Sequence, residues 1–132
     1  MNVEIAMKNG IADAPTVLVV EDEAIIRMML VDELEDAGIA AIEAESADAA
    51  VAILSNGAMI RAVVTDVRMP GTMDGLGLAA WMRDRAPNVP IIITSGFATQ
   101  LDCRSINPAI TRIVLKPYKP RDVASLVAEL LS

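Results

Sequence analysis

Ala62-Val63-Val64-Thr65-Asp66-Val67-Arg68-Met69-Pro70-Gly71 decides how this chain is read. An apolar run rich in β-branched residues suits a buried strand. It ends on an aspartate just as the chain enters a Met-Pro-Gly turn. A carboxylate removed from water is costly unless something pairs with it. Asp66 is therefore either an ordinary loop residue or a group that chemistry holds at the lip of a strand.

Working outward, the same pattern recurs. Thr16–Val20 is a continuous apolar run that closes on Glu21-Asp22. Val89–Ile93 is followed by Thr94-Ser95, and Ile110–Leu115 by Lys116-Pro117. Residues 39–44 and 61–65 supply the remaining strands. Between them the period changes to that of helices. Glu23–Ala37 carries Ile26, Leu30, Leu34 and Ala37 on one face and stops at Gly38. Ser46 opens a helix over Ala47–Leu54, closed near Asn56-Gly57. Asp74–Ala86 turns Leu78, Ala79, Met82 and Ala86 inward and ends at Pro87. Residues 97–105 predict a short, weakly specified helix. Pro120–Leu131 closes the chain, with Val123, Leu126, Val127 and Leu130 at helical spacing and Pro120 at a favoured first position. Residues 1–15 show no period and predict a flexible N-terminal arm. The order is βαβαβαβαβα. Strands apolar on both faces and alternating with helices predict an α/β fold, a parallel sheet wrapped on both sides.

Composition sets the frame. At 132 residues the chain predicts one domain, receiving no second unit, repeat or low-complexity tract. Its apolar mass is aliphatic, with one Trp, one Tyr and one Phe. No apolar run approaches a membrane span, and no signal peptide is visible. The single cysteine, Cys103, can form no internal disulfide. These features predict a soluble, cytoplasmic protein with no membrane insertion. A net charge of −7 argues against direct nucleic-acid binding, which draws on cationic contacts. The chain has no histidine, which removes imidazole acid–base chemistry and histidine metal ligands. Arg83 and Arg85 read as a solvated helix face, Met28 and Met29 as core or interface filling, and Cys103 as inert.

The reactive-looking residues fall at one end of their strands, and in a parallel sheet those ends share an edge. Ligands bind there, where strand order reverses. Glu21, Asp22, Asp66, Thr94 and Lys116 should thus converge on one pocket. Three carboxylates in one pocket repel each other. A hard divalent cation resolves this, and Mg²⁺ leaves room for phosphate oxygens. Lys116 and Thr94 then suit a phosphoryl group as a point charge and a donor. Asp66 can attack phosphorus and form an aspartyl phosphate.

Val-Leu-Val-Val-Glu-Asp-Glu (17–23), Asp-Val-Arg-Met-Pro-Gly (66–71), Met-Asp-Gly-Leu (73–76), Ile-Ile-Ile-Thr-Ser-Gly (91–96) and Leu-Lys-Pro-Tyr (115–118) together resemble the receiver (CheY-like) domain of bacterial two-component response regulators, over residues 15–131. The resemblance implies a flavodoxin-like (βα)5 fold with strand order 2-1-3-4-5. It implies Asp66 as phosphoacceptor, with Glu21, Asp22, Asp66 and the backbone carbonyl of Arg68 around Mg²⁺. Thr94 matches the switch hydroxyl and Lys116 the phosphoryl-pairing lysine, and the Lys116-Pro117 bond is expected to be cis. The implied donor is a sensor histidine kinase or a histidine phosphotransfer protein, and the output a downstream protein target or a phosphorelay. The receiver domain is expected over 16–132, of single-domain type, with no output domain expected and a homodimer allowed.

The sequence also departs from the family pattern. Glu21 stands where aspartate is commonest, and Ile113 where many receivers carry an aromatic switch residue. Tyr118 is a candidate substitute for that residue. Thr72 lengthens the loop before Met73 by one residue, and Gly96 leaves that side of the pocket open. The combination resembles receivers paired with HWE-type kinases. Competing readings are weaker. An aspartyl-phosphate phosphohydrolase needs a carboxylate two residues beyond the nucleophile, where Arg68 stands. A nucleotide or flavin domain needs a glycine-rich first turn, where Glu21-Asp22-Glu23 would repel phosphate. A pseudo-receiver, docking without phosphorylation, would not need so complete a site.

Overall fold

The computed structural model describes residues 16–96 and 109–132. The expected N-terminal arm, the short helix expected at 97–105 and Cys103 lie outside the described residues. The described elements are β1 (Thr16–Val20), α1 (Ala24–Asp36), β2 (Ala40–Ala44), α2 (Ala47–Ser55), β3 (Ala62–Asp66), α3 (Gly75–Arg85), β4 (Ile91–Ser95), β5 (Thr111–Leu115) and α4 (Pro120–Leu131).

The five strands form one parallel sheet in the order β2-β1-β3-β4-β5. Side chains alternate across it with period two. Leu18, Val20, Val63, Ile91 and Ile93 face α2 and α3, where Ala47, Ala50, Leu78, Ala79 and Met82 meet them. Val17, Val19, Ala62, Val64 and Ile92 face α1 and α4, against Leu30, Leu34, Val123, Ala124 and Val127. Two apolar layers therefore clamp the sheet, and the strand ends are free to carry polar groups. No helix among the described residues is long and apolar enough to cross a membrane.

Local chemistry sets the boundaries. Ser46 caps α2 by accepting from the Ala49 amide (3.0 Å), and Asp74 caps α3 by accepting from the Gly77 amide (2.8 Å). Gly38 and Gly57 leave their helices at φ +81°, a conformation that glycine adopts without strain. The Lys116-Pro117 bond is cis.

Three sequence expectations are corrected. β4 spans Ile91–Ser95 rather than Val89–Ile93, so Thr94 and Ser95 belong to the strand. The Val89 amide is spent on a turn to the Ala86 carbonyl, and Pro90 has no amide to give. Ala37 does not face inward; it is the C-terminal cap of α1 and is exposed. Of the two roles expected for Met28 and Met29, core filling is excluded by their 57% and 48% exposure. The expectation of strands buried on both faces holds for β1, β3 and β4, whereas β2 and β5 are sheet edges and half exposed.

Candidate functional site

Asp66 is the last residue of β3 and is 7% exposed. Its neighbour in register on β4 is Thr94, 1% exposed. The ladder continues past both, with the Val67 amide donating to the Thr94 carbonyl (3.0 Å) and the Lys116 amide to the Ser95 carbonyl (2.8 Å). That last bond carries Lys116 to the same edge. Its Nζ donates to Asp66 Oδ2 at 2.6 Å, a charge-assisted bond. The other carboxylate oxygen, Oδ1, accepts from the Arg68 amide at 3.3 Å.

On the β1 side, the Glu21 amide donates to the Ala44 carbonyl (3.0 Å), and the side chain is 1% exposed. Glu21 Oε1 accepts from the Glu23 amide (3.2 Å). Asp22, next along, is exposed. One carboxylate oxygen from each of Glu21, Asp22 and Asp66 lies within 4.8 Å of the others. Burial pushes the Glu21 carboxyl up to about 7, aided by the charge of Asp66 and a hydrogen bond with Asp22 and opposed by the Glu23 amide and Lys116.

This arrangement fits a divalent cation. The donors are all oxygens, the choice of a hard ion. The buried Glu21 carboxylate is held among like charges, which an added cation would relieve. A cleft of about 390 Å³, bounded by Asp22, Arg68, Met69, Pro70 and Asp74, reaches the exposed member of the acidic cluster, Asp22. An apolar cavity of about 410 Å³ is lined by Ile26, Met29, Lys116, Pro117, Tyr118 and Pro120.

The structure thus brings together Glu21, Asp22, Asp66, Thr94 and Lys116, the five residues that sequence reasoning placed at one edge, and seats Arg68 two residues beyond Asp66. Sequence reasoning missed three supporting features. Arg27 Nη1 donates to the Glu21 carbonyl (2.7 Å). A Cβ on Gly75 would overlap the Asp66 carbonyl oxygen, so α3 begins pressed against the Asp66 backbone. The Thr72 hydroxyl donates to the Asp48 carboxylate (3.2 Å to Oδ2), tying the β3–α3 loop to α2. Only the glycine left a signal, in Met73-Asp74-Gly75, where a cap precedes a residue without a side chain. Tyr118 packs against the core between the sheet and α1 and α4, within electrostatic reach of Glu21 and Asp66, and its buried hydroxyl finds no hydrogen-bond partner among the described residues. Burial, then the charges of Glu21, Asp66 and Glu23, push its phenol up to about 12.

Comparison with known proteins agrees with this geometry. Residues 17–128 match the family described as the response regulator receiver domain. The response regulator protein FleR of Pseudomonas aeruginosa is 33% identical over 116 residues, 87% of this chain and 24% of that protein. A response regulator receiver protein from Sinorhizobium medicae has a crystal structure that superposes with a TM-score of 0.80 at 34% identity, covering 90% of this chain and 95% of that one. The response regulator TrrA of Thermotoga maritima, solved in complex with Mg²⁺–BeF, superposes with a TM-score of 0.76 at 27% identity, covering 89% and 99%. The chain spans between 13% and 50% of the length of the curated relatives it matches. With the doubly wound sheet, the strand order and the acidic edge in place, the chain belongs to the response regulator receiver domain family of two-component signalling systems.

Proposed function

We propose that Asp66 accepts a phosphoryl group from a phosphohistidine donor and that the chain signals through the protein contacts this changes. The observation that carries the reading is the Lys116–Asp66 contact of 2.6 Å beside three carboxylates within 4.8 Å of one another. Glu21, Asp22, Asp66 and the Arg68 main-chain carbonyl would hold Mg²⁺, which when bound offsets the negative charge gathered in the transfer. An Asp66 oxygen forms the new bond to phosphorus as the bond from phosphorus to the donor imidazole nitrogen breaks. The electron pair stays on that nitrogen. The Lys116 ammonium pairs with the transferred oxygens, and the Thr94 hydroxyl donates to them. The donor imidazole comes from another molecule, because this chain has no histidine.

That donor is a sensor histidine kinase, of the HWE type by resemblance, or a histidine phosphotransfer protein. Ile25, Met28 and Met29, 74%, 57% and 48% exposed on α1, support docking of such a protein near Lys116. The output is a downstream protein or a further relay step, in the cytoplasm. Phosphorylation biases an equilibrium between two surface conformations.

Intact-protein mass spectrometry after incubation with Mg²⁺ and acetyl phosphate tests this. One added phosphoryl group is expected, lost in Asp66→Asn and in EDTA. Folded protein that takes up none under these conditions and gives no inorganic phosphate either would sink the proposal.

A further inference from the structure

Arg27 lies in the first turn of α1, where the helix dipole disfavours a cation. Its side chain is only 16% exposed and is held at both ends of the guanidinium. Nη1 donates to the main-chain carbonyl of Glu21 at 2.7 Å, and Nε donates to Glu43 Oε1 at 2.9 Å. Glu43 is anchored in β2, in register with Val19 of β1. The arginine therefore ties the loop that carries the acidic pair to the sheet edge and to the helix at once. A lysine could keep only part of this arrangement, because an ammonium is a single point charge without the planar fork.

From this we infer that Arg27 is a positioning residue for the acidic site and that Glu43 keeps it in that role. The inference rests on the reading of Glu21 and Asp22 as cation ligands. Holding the Glu21 carbonyl fixes the peptide plane between Glu21 and Asp22, and with it the directions in which both carboxylates leave the chain. The bond uses a main-chain oxygen, so it occupies no carboxylate oxygen of the site. Glu43 supplies the counter-charge from the other side. Without it the guanidinium would be drawn onto the carboxylates of Glu21 and Asp22, in competition with a metal ion. An exposed glutamate on the sheet edge, itself no part of the acidic cluster, thus controls how open that cluster is to a cation. Partners one shell out from a metal change its affinity by about 10- to 100-fold when removed.

The test is calorimetric Mg²⁺ titration of the wild type, Arg27→Met, Arg27→Lys, Glu43→Gln and the Arg27→Met/Glu43→Gln pair, with melting temperatures in EDTA for each. Arg27→Met is expected to weaken Mg²⁺ binding by about tenfold or more, on the scale of such outer partners. Arg27→Lys should restore part of the loss. Glu43→Gln should weaken binding although it touches no ligand, and the double variant should be no weaker than Arg27→Met alone, because Glu43 acts through Arg27. Unchanged Mg²⁺ affinity with a lowered melting temperature would overturn the inference and leave Arg27 as scaffold. Should Arg27→Met fail to fold, Arg27→Lys and Glu43→Gln decide alone, and unchanged affinity in both would overturn it. A wild type that binds no Mg²⁺ is a different failure: it would overturn the metal reading, and this inference with it.

Discussion

Two glycines in the first turn of α3 face different neighbours, and replacing each with alanine should have opposite consequences. A Cβ on Gly75 would overlap the Asp66 carbonyl oxygen and lie 2.9 Å from the Asp66 carbonyl carbon and 3.0 Å from Val67 Cα. Ordinary carbon contacts lie near 3.5–4.0 Å, and the overlap with the oxygen is deeper than either carbon contact, so α3 or the end of β3 must retreat by roughly 1 Å or more. All three atoms are backbone, and the Gly75 amide is bonded to the Val67 carbonyl at 2.9 Å, so no side chain can swing away. Overpacking of this kind costs about 1–3 kcal/mol, and straining that hydrogen bond adds about 1 kcal/mol. Gly75→Ala should therefore lose about 2–4 kcal/mol, or roughly 7–14 °C in melting temperature for a chain of this size. A Cβ on Gly77 would instead meet Met73 Cγ at 2.8 Å, the middle of a flexible side chain. Gly77→Ala gains up to about 1 kcal/mol of helix propensity, and moving Met73 takes back part of it. Its melting temperature should stay within about 4 °C of wild type. Because the atoms displaced by Gly75→Ala carry Asp66, phosphoryl uptake should slow by about 10- to 100-fold in that variant and stay near wild type in Gly77→Ala. Thermal melts and the initial rate of mass gain with acetyl phosphate read both. A Gly75→Ala protein as stable and as fast as Gly77→Ala would refute the close-approach reasoning.

Two further outcomes follow from the electrostatics. The single tyrosine makes phenolate absorbance an unambiguous probe. Tyr118 should titrate near 12 in the fold against about 10 in denaturant, so stability is flat below pH 10 and falls as pH climbs from there through 12. Mg²⁺ should lower that folded midpoint by offsetting Glu21 and Asp66, and a midpoint near 10 in folded protein would contradict the buried phenol. Mg²⁺ at a hundred times its dissociation constant should stabilise the fold by about 2.7 kcal/mol. Glu21→Gln should abolish that gain, and equal melting with and without Mg²⁺ in the wild type would count against the acidic cluster as a cation site.

The sheet and the acidic edge were legible because their causes are local. Apolar runs that stop on Asp66, Glu21-Asp22 and Lys116 mark both the strands and the end at which they open. Boundaries were less legible where a polar residue stays in the ladder. Thr94 and Ser95 read as the end of β4, yet both pair with β5 and are buried. Edge strands were illegible for a different reason. Ile113 and Leu115 are apolar but 38% and 52% exposed, because position in the sheet, not hydropathy, decides what covers them. The supports of the site were hidden for a third reason. Arg27 and Glu43 are 16 residues apart and meet only through the geometry of α1 against β2. No spacing rule connects an arginine in a helix with a glutamate on an edge strand, whereas polar residues at successive strand ends obey one.

Charge counting narrows what the acidic edge is built to hold. Glu21, Asp22 and Asp66 bring three negative charges within 4.8 Å, and Lys116 returns one positive charge through Asp66. With all three ionised two charges remain uncompensated; burial above all, with the charge of Asp66 adding to it, pushes the Glu21 carboxyl up to about 7, and a bound cation would favour its ionised form. A monovalent ion would leave one charge over, and a second lysine would occupy the oxygens that must stay free. A divalent ion closes the count and brings open coordination positions. The contacts of Asp66 fit the same logic. Both of its oxygens are engaged, Oδ2 by Lys116 at 2.6 Å and Oδ1 by the Arg68 amide at 3.3 Å. In the phosphoacceptor role proposed above, the attacking oxygen must be released from such a bond. The longer bond to a neutral amide is the easier to give up, which leaves Lys116 in place to meet the incoming charge.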